Sequence, residues 1–146
     1  QRVKDVDTSN FSEEDFKELA ISIVTEENSA KRRIPGLGHP VHKNGDPRTP
    51  VMFQIAKAEG VYGPHLALYE AIGEVHESIL GKKLPLNGAG VGGAALADLG
   101  LPIDLLRGFA LLARTAGLVG HLAEEHENPI GPDVYYSVDR NAVYEG

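Results

Sequence analysis

Phe16, Leu19, Ala20, Ile23 and Val24 recur at the i, i+3, i+4, i+7 and i+8 positions of one helical face. Ser12 stands before this stripe as an N-cap, and Glu13, Glu14 and Asp15 put negative charge where the helix dipole favours it. The pattern predicts an amphipathic helix reaching about Asn28. Asp46-Pro47 opens a second helix, with Asp46 as N-cap and Pro47 at the first helical position. Val51, Met52, Ile55 and Ala56 are its expected buried stripe, and Gly60 ends it. Gly63-Pro64 opens a third, on which Leu66, Tyr69, Ile72, Val75, His76 and Ile79 share a face, with Gly81 as the stop. Lys82 to Asn87 reads as an extended linker. Gly88 to about Leu99 is rich in small residues and predicts a closely packed helix. Leu101-Pro102 opens a last long stretch, open to division in two pieces, that reaches about Glu127 before Asn128-Pro129 breaks it. No segment carries a convincing strand pattern. The expectation is an all-α domain of about five helices. Residues 1–11 are expected to fray, 12–127 to form the helical domain, and 128–146 to be an irregular tail. Tyr135, Tyr136 and Tyr144 are expected to anchor that tail on a neighbouring surface.

The 146 residues fit one domain. Trp is absent and aromatics are few, so the core is aliphatic and no stacking surface for nucleic acid is expected. A formal charge of −7 also disfavours a polyphosphate partner. The absence of cysteine excludes a disulfide framework, a zinc thiolate site and a thiol nucleophile. No apolar run approaches the roughly 18–20 residues that span a bilayer, and no signal peptide is visible. The expected compartment is the cytoplasm, with no membrane partner. The chain opens with Gln1-Arg2-Val3 rather than Met, as expected of a processed or partial product.

Several motifs have bland readings. Gly88-Ala89-Gly90-Val91-Gly92-Gly93 satisfies G-x-G-x-x-G, but a dinucleotide site needs a strand before it and an acid on a second strand about 20 residues on. Neither is evident. His121 and His126 are five apart, on different helix faces, so no metal site is expected. His126 reads as a cation near a helix C-terminus, His76 as a partly buried packing residue, and His65 as exposed. Lys31-Arg32-Arg33 is either a solvated helix end or an attractor for a phosphate-bearing ligand.

The informative stretch is the loop Gly36-Leu37-Gly38-His39-Pro40, followed by Asp46-Pro47-Arg48. Two glycines let the backbone approach a ligand. The histidine after them sits on a loop stiffened by Pro40. Arg48, on the first turn of a helix, can fork onto a carboxylate for about 1.5–3 kcal/mol. On the residues alone, a ligand site and a capped surface loop both stay open.

The spacing Gly36-Leu37-Gly38-His39, then Arg48 nine positions on, resembles the G-x-G-H-x-V-x-x-x-x-D-P-R signature of citrate synthases. Asn87 with its following glycines, ending in Leu99-Gly100-Leu101-Pro102, resembles the family's next segment. Ala113-Arg114-Thr115-Ala116-Gly117 and His121 with Glu124-Glu125 resemble its closing helix. The three motifs stand in order over 34–136, and the loose terminal segment is most similar to the citryl-CoA lyase branch, including the C-terminal module of ATP-citrate lyase. The resemblance implies an all-α fold with sites between two domains and a homodimer. It implies an enzyme that makes or breaks a C–C bond between an acetyl-CoA enolate and oxaloacetate or a close analogue. Its partners are then acetyl-CoA or citryl-CoA and an oxaloacetate- or citrate-like acid, with coenzyme A thioester as substrate and no bound cofactor or metal. His39 is implied to act on the carbonyl or hydroxyl oxygen, and Arg48 and Arg114 to hold carboxylates. Pro35, Gly36, Leu37, Gly38, Lys43 and Asn87 are implied to line coenzyme A.

The chain departs from the pattern in three places. The family's second histidine, in an H-G run ahead of the first helix, is expected to lie outside this sequence. The family's carboxylate base falls two positions after the Asn, where this chain has Ala89. The family's R-P-R near the end reads Gly131-Pro132-Asp133. Two expectations follow: a lyase or acyltransferase present here as its C-terminal part, or a catalytically degenerate module that binds coenzyme A or a dicarboxylate. A purely structural helical domain is the remaining reading.

Overall fold

A computed structural model of the chain describes Val3 and residues 6–143. The described residues form six α-helices and no named strand, in agreement with the all-α expectation. The helices are α1 (Glu13–Ser29), α2 (Arg48–Ala58), α3 (Pro64–Leu80), α4 (Gly88–Asp98), α5 (Leu106–Glu127) and α6 (Gly131–Asn141), with a 3-10 turn at Ile103–Leu105 before α5. The chain divides into two compact units, Gln1–Arg107 and Gly108–Gly146.

In the first unit α3 is the centre, with α1 and α4 packed on it and α2 packed on α4. Its two ends are set by chemistry. Gly81 takes the left-handed conformation that closes the C-terminus. At the N-terminus the Asp98 carboxylate accepts the amides of Gly63, His65 and Leu66 at 3.0, 2.9 and 2.9 Å. One acid at the end of α4 thereby satisfies three amides that a helix start leaves without partners. His65 is caught in the same cluster, with Nδ1 2.8 Å from Asp98 Oδ1 and Nε2 buried, so the expectation that it stands exposed is corrected. Capping by an acid 33 residues away leaves no local pattern to read.

α1 is capped as expected. The Ser12 hydroxyl accepts from Asp15 N, and Asp15 accepts from Ser12 N in return. Ala20, Ile23 and Val24 of α1 join Leu68, Ala71 and Ile72 of α3 in one apolar cluster, and Val3 is buried in it at 7 % exposure. The second cluster joins Phe53 and Ala56 of α2, Leu66 and Tyr69 of α3, and Val91 and Ala95 of α4.

Two further expectations are corrected. Val51 and Ile55 are about half exposed (51 % and 49 %), and the buried face of α2 is Thr49, Phe53 and Ala56. Thr49 faces inward, where its hydroxyl donates to Leu86 O at 3.0 Å, on the same side as Phe53 and Ala56, which pack on α3 and α4. The tail is also not irregular, since 131–141 form α6. Pro132 lies in its first turn, and Glu125 accepts the amides of Ile130 and Gly131 just ahead of it. Tyr135 and Tyr136 pack edge to face on each other with ring centres 5.5 Å apart and remain exposed. Tyr144 lies outside the described residues.

Candidate active site

The loop 34–45 is held by an extended strap, Leu84–Asn87, that runs beside it. Gly38 N donates to Pro85 O at 2.7 Å and Asn87 N to Gly36 O at 2.9 Å. The Asn87 side chain finishes the brace, with Nδ2 donating to Gly38 O at 2.8 Å and Oδ1 accepting from Gly90 N at 2.9 Å. Tyr69 rises from α3 beneath both segments, and its hydroxyl donates to Gly36 O at 2.7 Å and accepts from Asn87 N at 3.0 Å. Burial pushes its phenol up to about 12, so it serves as a neutral bridge. The glycines of both segments are there for closeness. A Cβ at Gly36 would lie 2.7 Å from Tyr69 Cε2, and one at Gly90 would lie 2.2 Å from the Tyr69 hydroxyl. Gly36 and Gly38 also hold φ of +94° and +85°, which favour glycine.

His39 leaves this braced loop with a defined tautomer. Its Nδ1 accepts the amides of Val41 and His42 at 3.1 and 3.0 Å. A nitrogen that accepts carries no proton, so the neutral ring keeps its proton on Nε2. Nε2 lies 3.4 Å from Nη2 of Arg48. Both atoms are donors, so they form no hydrogen bond with each other. They stand side by side as two N–H donors. His42 packs on His39, ring centres 4.5 Å apart.

Arg48 is aimed by Asp46. The guanidinium donates through Nε to Oδ1 at 2.9 Å and through Nη2 to Oδ2 at 2.7 Å. Asp46 is buried and also accepts from Arg48 N at 3.1 Å and Gly88 N at 2.7 Å. These bonds, the Arg48 guanidinium first, hold its carboxyl well below the usual range although burial works the other way. The same pair raises Arg48 above its ordinary value. Asp46 is therefore favoured as the anion, and its four donors leave it poorly placed to act as a base. Arg48 keeps Nη1 and the outer hydrogen of Nη2 for a ligand.

The remaining expected residues fall as follows. Lys43 lines a cleft together with Asp46, Thr49 and Lys83. Pro35 and Leu37 flank Gly36, and Leu37 forms an isolated bridge with Leu86. Ala89 is exposed in the first turn of α4. Arg114 belongs to the second unit, on the exposed surface of α5, where Nη1 donates to Ala110 O at 3.2 Å. The structure thus brings together His39 and Arg48, the loop residues Gly36, Leu37 and Gly38, and Asn87 of the strap. Sequence reasoning missed Asp46 as the partner of Arg48, Gly88 as the space for it, and Tyr69 as the bridge under the loop. Only the Asp-x-Arg spacing was a usable signal, because the other contacts join residues 18 to 42 positions apart.

The described residues thus set a glycine-loop histidine against an Asp-oriented arginine within an all-α fold. The match to known proteins is specific. Residues 4–132 fit the model of the citrate synthase C-terminal domain, and the chain belongs to the citrate synthase family. The solved structure of citryl-CoA lyase from Hydrogenobacter thermophilus is similar at a TM-score of 0.73 and 33 % identity, over 95 % of this chain and 52 % of that one. The 2-methylcitrate synthase 1 of Corynebacterium glutamicum is 38 % identical over 103 residues, 67 % of this chain and 26 % of that protein. A citrate synthase of Heyndrickxia coagulans is 34 % identical over 123 residues, 80 % of this chain and 32 % of that protein. The chain spans about a quarter to a third of the length of these curated relatives.

Proposed function

We propose that this chain forms part of a citryl-CoA lyase or a citrate synthase-like acyltransferase. The enzyme makes or breaks the C–C bond between an acetyl-CoA enolate and oxaloacetate or a close analogue. The observation that carries the reading is the 3.4 Å approach of His39 Nε2 to Arg48 Nη2 with Nδ1 tied to two amides. His39 donates its Nε2 proton to the ketone oxygen as the bond forms, and takes it back from the hydroxyl in the cleavage direction. Arg48 holds the carboxylate beside that oxygen, and its link to Asp46 fixes the fork before the ligand arrives. Arg114 is assigned a carboxylate-holding role on the family resemblance of its motif. Coenzyme A runs along Pro35 to Gly38 with its phosphates toward Lys43, while Asn87 keeps the loop in shape. The enzyme works as a cytoplasmic homodimer. Apolar side chains exposed on α5 and α6, Leu112, Leu118 and Val138 among them, support burial against other protein. No helix of the described residues is long and apolar enough to cross a membrane.

The test is turnover by the full-length protein of citryl-CoA, and of acetyl-CoA with oxaloacetate, followed by release of acetyl-CoA or of free thiol. Product formation that falls on His39→Gln supports the reading. Absence of product in both directions overturns it.

Ala89 favours a second reading, a module that binds the acid or the thioester without turnover. Its methyl group cannot move a proton, and Asp46, which accepts the amide of the neighbouring Gly88, is committed to four donors. Binding of coenzyme A or oxaloacetate by calorimetry without product would select this reading.

A further inference from the structure

Buried in α3, 37 residues from His39, a second histidine makes contacts that neither reading above uses. His76 is 3 % exposed. Its Nδ1 lies 2.9 Å from Gly73 O and 3.2 Å from Ile72 O. Carbonyl oxygens only accept, so Nδ1 carries the ring proton. Its Nε2 lies 2.9 Å from Leu84 N, an atom that only donates. The ring therefore sits as one neutral tautomer, donating to its own helix and accepting from the first residue of the strap.

From Leu84 onward the strap is tied at every residue. Leu84 N goes to His76, Pro85 O accepts Gly38 N, Leu86 O accepts the Thr49 hydroxyl, and Asn87 bonds Gly36 and Gly38. The strap also presses directly on α3, where a Cβ at Gly73 would lie 2.6 Å from Leu86 Cδ1. The loop before His39 hangs on this strap through Gly36 and Gly38. The position of His39 is thus referred to α3 at two points, Tyr69 under the near end and His76 at the far end.

We infer that His76 is a positioning residue for the His39 loop, acting through its acceptor bond to Leu84 N and the strap. The inference rests on the reading of His39 as a ligand-facing group only for its consequence in activity. The geometric part stands by itself.

Two conservative replacements separate acceptor from donor. In His76→Gln the terminal oxygen can stand where Nε2 does and accept Leu84 N–H. In His76→Asn the shorter amide reaches the Gly73 carbonyl and leaves Leu84 N without its acceptor. The full-length protein carrying each is compared by amide resonances of Gly38, Val41, His42 and Leu84, by the ring-nitrogen resonances of His39, and by kcat and KM with citryl-CoA. The expected result is that His76→Asn shifts all of these resonances and lowers kcat by about 10- to 100-fold with a smaller change in KM, as a displaced catalytic group does. His76→Gln restores the resonances and keeps kcat within about threefold. Unchanged Gly38 and His39 resonances in a folded His76→Asn overturn the inference. If His76→Asn does not fold, His76→Gln decides alone, and shifted loop resonances in it overturn the inference. Shifted resonances with no effect on any ligand support the positioning role and count against the proposed function instead.

Discussion

Gly88 has no side chain where the guanidinium of Arg48 lies. A Cβ built on Gly88 would be 2.6 Å from Arg48 Nε and 2.7 Å from its Cζ, while the Gly88 amide itself donates to Asp46 at 2.7 Å. The first residue of α4 is therefore both a floor under the arginine and a donor to the acid that aims it.

Gly88→Ala is expected to displace Arg48 more than it destabilises the fold, because Arg48 is more than half exposed and can swing away. The thermal midpoint should fall modestly, by the equivalent of about 1 kcal/mol. The dissociation constant for oxaloacetate should rise about tenfold, the loss of roughly one charge-assisted bond. Calorimetry reads this directly. An unchanged affinity would mean that Arg48 does not contact the acid.

Asp46→Asn removes the charge that holds the fork and leaves amides less well accepted. A stability loss of about 1–3 kcal/mol in urea is expected, toward the lower end because water screens the exposed side of Arg48. The pH dependence carries the sign. The folded carboxyl titrates well below the unfolded value of about 3.9, so Asp46 stabilises the fold fully above that value. As pH falls below it, the unfolded chain takes up a proton that the folded chain does not, and the contribution is lost. Wild type should lose more stability than Asp46→Asn between pH 5 and pH 3, a range chosen around that value. The difference isolates Asp46 from Asp7, Asp15 and Glu125, whose carboxyls are also lowered.

His39→Asn and His39→Gln each keep the bonding of one ring nitrogen and remove the acid–base function of the ring. Asn can keep the acceptor for Val41 N and His42 N, and Gln can keep a donor near Nε2. Both should bind the acid within a few-fold of wild type. Activity of the full-length protein should fall by about 10²–10⁴ in each, since neither amide can pass a proton. Retention of wild-type kcat by either would remove His39 from the chemistry.

Lys31 is the one non-glycine residue with positive φ among the described residues, at +54°. It sits just beyond the end of α1, where Lys31 N bonds Asn28 O and Arg32 N bonds Glu27 O. Glycine is the usual occupant of that position. Lys31→Gly should raise stability by about 0.5–1 kcal/mol, read as a higher urea midpoint with unchanged slope.

Much of the helical architecture could be read along the chain because its causes are local. Ser12 with three acids starts α1, Pro64 starts α3, Gly81 ends it, and each cue lies within a turn of what it controls. The face of α2 was misread for the opposite reason. The face that packs, Thr49 with Phe53 and Ala56, is chosen by partners distant in sequence, Leu86 and residues of α3 and α4, and Val51 and Ile55 are left about half exposed. α6 was missed because Asn128-Pro129 marks a break, and the break is followed at once by a start at Gly131-Pro132 capped from Glu125.

The amino-acid order by itself determined the helical class and the family's motif spacing, and it singled out His39 and Arg48 as candidates, since these depend on periodicity and on residues a few positions apart. Only the folded chain decided that Gly88 seats the Asp46–Arg48 pair, that Gly90 makes room for Tyr69, and that Tyr69 and His76 tie the loop to α3. Those relationships join segments distant in sequence through hydrogen bonds and contact distances of about 3 Å, and such distances exist only once α2, α3 and α4 have packed.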